Sequence, residues 1–189
     1  DITEELHHNT IIGGITYEFH NQDRSNNFSI YSSGQHTDRK SFYGGLGGGR
    51  TRQDSITAAN AYGNTDDLAL LIGGQFTRNF KNTDDVLTLG TEYNLSNTQD
   101  HIPGYQRKID QKVNAIGAFA QYEWKPSEKF TALIGGRLDY VNISGDYTIQ
   151  EIDRNSDINQ TVVSPRLTLR YKFSEDWQLR GGYARGFRT

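Results

Sequence analysis

The residues with the most chemistry in them sit at spacings of two. Arg166, Arg170 and Lys172 share one parity of the run VVSPRLTLRYKF (162–173), and Arg180 continues it in WQLRGGYARGF (177–187). Arg137 and Asp139 share a parity of KFTALIGGRLDYV (129–141), and Glu123 stands on the polar parity of NAIGAFAQYEW (114–124). On an extended chain, side chains two apart project from the same face. Such rows recognise charge. Guanidinium groups bind carboxylates, phosphates and other anions through directed, charge-assisted hydrogen bonds. Arg137 and Asp139 are placed to pair with Arg166 or Glu123 on neighbouring strands.

Bond-making chemistry has little support. The chain has no cysteine, which excludes thiol catalysis, cysteine-ligated zinc and disulfides. No Ser/His/Asp ordering stands out, so the chain is not expected to be an enzyme. His7 and His8 are adjacent and point apart, while His20, His36 and His101 are isolated. A haem or metal site would need them to converge, so no metal site and no cofactor is assigned. Asp66 and Asp67 suit turn chemistry better than a calcium loop. GGLGGGR (44–50) lacks the spacing of a phosphate-binding loop. RGGYARGFR (180–188) has the look of a nucleic-acid segment, yet it continues a strand and the net charge is −3, so nucleic acid is not an expected partner.

The elements that carry these rows are strands. Apolar and polar residues alternate over 10–20, 26–33, 68–80, 85–95, 114–124, 129–141, 162–173 and 177–187. In 162–173 the apolar parity is Val163, Pro165, Leu167, Leu169, Tyr171 and Phe173. Short polar connections (20–25, 81–85, 125–129, 174–176) alternate with long ones (34–66, 96–112, 142–161), which describes an antiparallel up-and-down meander. On this pattern residues 1–9 form the tail of a further long loop.

The medium on the apolar side is read as lipid. Mean hydropathy is −0.75 and 34% of residues are hydrophobic, too few for a large apolar core, yet 12% are aromatic, too many for a disordered polar chain. Aromatics gather on the apolar parity beside the short turns (Tyr17, Phe19, Tyr122, Trp124, Tyr171, Phe173, Trp177), where the girdle of a membrane barrel belongs. The expected fold is therefore all-β: an antiparallel transmembrane β-barrel segment spanning 1–189. The eight strands are read as part of a larger barrel, of about 22 strands. The alternative is a complete eight-stranded outer-membrane barrel with a structural or adhesive role.

Four stretches carry a family resemblance: YSSGQHTDRKSFYGG (31–45), GYQRKIDQKVNAIGAFAQYEW (104–124), LIGGRLDY (133–140) and SPRLTLRYKFSEDWQLRGGYARGFRT (164–189). They resemble the barrel of TonB-dependent outer-membrane receptors of the Bacteroidetes type. The resemblance implies a Gram-negative outer membrane, active import of a ferric siderophore, cobalamin or haem, a plug domain inside the barrel and a TonB partner. Nothing in this chain matches the plug or the TonB-contacting segment. It further implies that Glu123, Arg137, Asp139, Arg166, Arg170, Lys172 and Arg180 face the lumen, toward plug or substrate. His36, Tyr43, Tyr105 and Arg107 would stand on outer loops as ligand contacts.

Overall fold

A computed structural model describes residues 4–43, 51–54, 62–150 and 152–186. The strands are β1 (Glu4–His20), β2 (Asn26–Tyr43), β3 (Tyr62–Asn79), β4 (Val86–Ile102), β5 (Arg107–Ser127), β6 (Phe130–Ile149), β7 (Ile152–Lys172) and β8 (Gln178–Ala184). They form one sheet in the order β1 through β8, every neighbour antiparallel, with β1 and β8 at its two edges.

The strands run much further than the alternation predicts. The expected long connections 96–112 and 142–161 are mostly strand, closed by a 3-10 turn (Pro103–Tyr105) and by a tight turn at Gln150. Residues 34–43 and 62–66 are strand as well, and β1 begins at Glu4, inside the expected loop tail. The reason is physical. Alternation reports a difference in medium between two faces, whereas a ladder of backbone hydrogen bonds continues wherever its partners do. The tips use left-handed backbone. Gln106 (φ 48°) donates its N–H to Pro103 O at 3.0 Å, and Gln150 (φ 48°) donates to Gln106 O at 3.1 Å.

The sheet has almost no interior. Among the described residues only Ala132 and Val141 are buried and apolar, while Ile15 is 73% and Trp177 75% exposed. One face collects the apolar side chains in a band covering 11–19 of β1, 68–76 of β3, 87–95 of β4, 116–124 of β5, 130–140 of β6 and 163–173 across β7. Each segment is nine to eleven residues long, the length a tilted strand needs to cross a bilayer's hydrocarbon. At the short-turn end the band closes in ring contacts: Phe80–Tyr122 (6.3 Å), Trp124–Phe130 (6.2 Å) and Tyr171–Phe173 (5.0 Å). At the other end Tyr93 and Tyr140 donate their hydroxyls to Asn114 Oδ1 and Asn159 Oδ1, both at 2.9 Å. Rings toward hydrocarbon and hydroxyls toward water suit an interface.

The short turns are braced by carboxylates. Asp23 accepts from the N–H (3.1 Å) and hydroxyl (2.8 Å) of Ser25 and pairs with Lys81 at 2.9 Å. Asp85 accepts from the Lys125 N–H (2.6 Å) and the Tyr122 hydroxyl (2.7 Å), tying the β3–β4 turn to β5.

Candidate functional site

The opposite face carries the charged rows and is concave. One cavity of about 710 Å³ is lined by residues of β1 through β7, from Ile12 through Ser33 and Asn94 to Arg137, Asp139 and Ser164. A flat sheet would not bring these together.

Arg137 and Asp139 of its lining belong to an ionic network laid along one cross-strand row. Tyr31, Gly73, Glu92, Gly117 and Asp139 stand directly opposite one another, strand by strand from β2 to β6. The Tyr31 hydroxyl donates to Glu92 Oε1 at 2.7 Å, and Arg137 Nη1 donates to Glu92 Oε2. Arg137 Nε donates to Asp139 Oδ1 at 2.7 Å. The glycines are what permit it. A Cβ on Gly73 would lie 2.4 Å from the Tyr31 ring, and one on Gly117 2.3 Å from Asp139 Oδ1. One row nearer the short turns, Phe119 lies over Gly90, where a Cβ would meet the ring at 2.2 Å, and the Arg137 guanidinium sits 6.0 Å from the Phe119 centroid. Large side chains thus lie flat across glycines of the next strand. Asp139 is 3% exposed, and its Oδ2 has no partner among the described residues.

Arg137 is therefore paired with both Asp139 and Glu92, while Asp139 is paired through Oδ1 alone. The expected pairing with Arg166 or Glu123 is corrected: Glu123 bonds Lys125 at 3.1 Å, and Arg166 stands opposite Gly135 and Ala184. Glu92 and Tyr31 are site residues that the sequence does not single out. Glu92 lies on the polar parity of its strand, but its partner two strands away follows only from register.

The β7–β8 side of the same face is unbalanced. Arg170 stands directly opposite Arg180, two like charges whose juxtaposition is unfavourable without a counter-charge. Arg170 donates to Thr131 Oγ1 at 2.8 Å, and its Nε is buried without a partner among the described residues. Lys172 is opposite Gln178. Among the described residues, Arg166, Lys172 and Arg180 have no acidic partner.

A second chain of contacts lies toward the far end, on the same concave face. Arg39 Nη2 donates to Thr65 Oγ1 (3.0 Å), which donates to Asp100 Oδ1 (2.6 Å), and Asp100 Oδ2 faces Arg107 Nε at 3.5 Å. Arg107 begins β5 and Tyr105 closes the 3-10 turn before it. His36 and Tyr43 are on β2, not on a loop tip. His36 shares the outer, apolar-parity face with Leu68 and lies 3.3 Å from Asp66, so it points away from the concavity. His101 stands on that same outer face, opposite Asn64 and Lys108. The glycine-rich 44–50 stretch lies outside the described residues.

The family model "TonB dependent receptor-like, beta-barrel" matches residues 3–189. No curated protein matches the sequence. Similar solved structures include the siderophore receptor PiuA from Acinetobacter baumannii, with 11% identity, TM-score 0.75, and coverage of 95% of this chain and 32% of that one. The ferric-catecholate import receptor Fiu from E. coli K12 has 10% identity, TM-score 0.76, and coverage of 95% and 33%. The ferric yersiniabactin uptake receptor FyuA from Yersinia pestis has 13% identity, TM-score 0.66, and coverage of 94% and 28%. The chain thus spans about a third of the length of these structures, and the likeness is one of fold.

Proposed function

The chain belongs to the TonB-dependent receptor β-barrel family, and on that premise we propose that it forms part of the wall of a Gram-negative outer-membrane importer. Its apolar band contacts lipid. Its concave face lines the lumen. The short turns lie on the periplasmic side and the long strand extensions rise outside the cell. The cargo class is a scarce metal chelate, with a ferric siderophore favoured over cobalamin or haem by the likeness to siderophore and ferric-chelate receptors. No bond is made or broken by these residues. The work is recognition, passage and gating.

The single observation that carries this reading is the lumenal imbalance. The network around Arg137 sets one cation against two carboxylates, whereas Arg166, Arg170, Lys172 and Arg180 lack counter-charge among the described residues. Arg170 is half-buried with an unpartnered Nε, and it directly faces the like charge of Arg180, an arrangement that anionic partners would relieve. A plug domain of the parent chain, facing this wall with carboxylates, supplies them at rest. Anionic cargo meets the same wall in transit. TonB would act through the plug, not through this segment.

The test is uptake by cells carrying or lacking the parent gene, with iron supplied only as a defined ferric siderophore. Loss of uptake on deletion, restored by the intact receptor, supports import. Unchanged uptake of ferric siderophores, cobalamin and haem in the deletion strain would refute it.

A further inference from the structure

Beyond the outer girdle the convex face loses its apolar band. Within the band the convex face is apolar, and the concave face mixes charged and apolar side chains. Past Tyr93 and Tyr140 the convex side carries Asp66, Lys108, Asp110, Asp146 and Asp157, while on the concave side isoleucines stand beside Arg39, Asp100 and Arg107. Ile102, Arg107, Ile149 and Ile152 fall in one row across β4 to β7. Ile149 is 49% and Ile152 59% exposed. Exposed aliphatic side chains on the lumenal side, beside a few placed charges, call for an occupant with an apolar part.

A cavity of about 530 Å³ occupies this position, lined by Leu6, Ile102, Tyr105, Arg107, Ile109 and Ile149. That volume suits a small molecule. Glu4 and Glu5 stand at its β1 rim, and Glu5 is bonded to His7 at 2.6 Å. The cation inside is held from behind: Asp100 faces Arg107 Nε, while Thr65 and Arg39 back the carboxylate. The Nη groups of Arg107 have no partner among the described residues, and its side chain is 44% exposed. An aliphatic floor beside one backed guanidinium complements an aliphatic chain ending in an anion. The opening is on the lumenal side, away from lipid, so the occupant arrives as cargo.

We propose that this cavity seats a cargo bearing an aliphatic chain and a carboxylate, the chain on Ile102, Ile109 and Ile149 and the carboxylate on Arg107. The inference rests on the reading of the chain as the wall of an importer and names the chemistry of what it takes.

The experiment uses the full-length receptor in lipid nanodiscs with a diazirine-bearing decanoate as probe. Photolabelled peptides are mapped by mass spectrometry with decanoate or decanol as competitor. The expected result is saturable labelling within 102–109 or at 149, displaced by decanoate. Ile109→Asn with Ile149→Asn weakens it about tenfold or more, the usual scale for a lost apolar contact. Arg107→Gln weakens displacement by decanoate about tenfold and leaves displacement by decanol unchanged, while Arg107→Lys restores the difference. The shifted migration of the unheated barrel checks folding of each variant. Labelling that never saturates, or that the variants leave unchanged, overturns the proposal. So does an Ile149→Cys thiol that aqueous maleimide cannot reach because another part of the receptor covers it. Ferric-siderophore uptake in the same strain separates the two readings. Import without saturable labelling removes this site alone, and labelling without import keeps the site and removes the transport reading.

Discussion

The guanidinium of Arg137 on β6 reaches across Gly117 of β5 to bond the carboxylate of Glu92 on β4. The middle strand contributes only the absence of a side chain, and through that absence three strands are pinned at one level.

Removing one partner of that bond should therefore cost stability. Glu92→Gln leaves Arg137 with Asp139 alone and deprives the Tyr31 hydroxyl of a charged acceptor. Breaking a buried pair costs about 3–5 kcal/mol, and the partial exposure of these groups (30% and 22%) lowers the expectation to about 1–3 kcal/mol. Denaturant titration of the full-length receptor in micelles, read by tryptophan fluorescence, gives the value. An unchanged midpoint would mean the pair is not stabilising.

Glycine positions should differ sharply in tolerance. Gly117→Ala drives a methyl to 2.3 Å from Asp139 Oδ1 and 2.5 Å from Arg137 Nη2. Overpacking of that kind costs about 1–3 kcal/mol. A Cβ added at Gly13 or Gly181 would have nothing within 4 Å, so alanine there should change stability by no more than about 0.5 kcal/mol. The same denaturant titration compares the three variants, and equal effects would contradict the cradle.

A charge on the convex face should be costly where the same charge on the concave face is native. Leu169→Arg near the bilayer midplane is expected to destabilise by about 2–4 kcal/mol, while Arg170, its neighbour on the other face, is already cationic. Refolding yield into phosphatidylcholine bilayers measures this. A Leu169→Arg receptor that inserts as well as wild type would show that Leu169 does not face lipid.

Acid should loosen the short turns through Asp85. The Lys125 N–H and then the Tyr122 hydroxyl hold its carboxyl below the usual carboxylate range. A depressed folded value means that the stabilisation is fully present above about pH 4, the unfolded carboxylate value, and is lost as pH falls through the folded one. Asp85→Asn removes that dependence. Unfolding midpoints measured between neutral pH and about pH 3 should fall more steeply for wild type than for the variant, and parallel curves would exclude the role.

What the sequence reveals and conceals follows from where water is. Along 163–173 one side of the strand meets lipid and the other does not, so Leu167 and Leu169 separate cleanly from Arg166 and Arg170. Along 142–149 and 152–161 both sides are wet, the contrast fades, and the strand looks like a loop. Individual charges are legible for the same reason, since Arg137, Asp139 and Glu123 sit on visible polar parities. Their partners are not. The facing of Arg170 and Arg180, or the bond from Arg137 to Glu92, depends on register, which the turns fix and the parity pattern does not. Arg107 is expected from sequence on the outer part of the chain; its backing by Asp100, Thr65 and Arg39 belongs to three other strands.

Cysteine accessibility along β7 tests the central claim most directly. This segment has no native cysteine, so single cysteines at 166, 167, 168, 169 and 170 can be placed in the full-length receptor and probed in bilayers with a charged, membrane-impermeant thiol reagent. The lumenal account predicts reaction at 166, 168 and 170, with protection at 167 and 169 that detergent relieves. Uniform reactivity, or reaction at 167 and 169 with protection of the even positions, would contradict it.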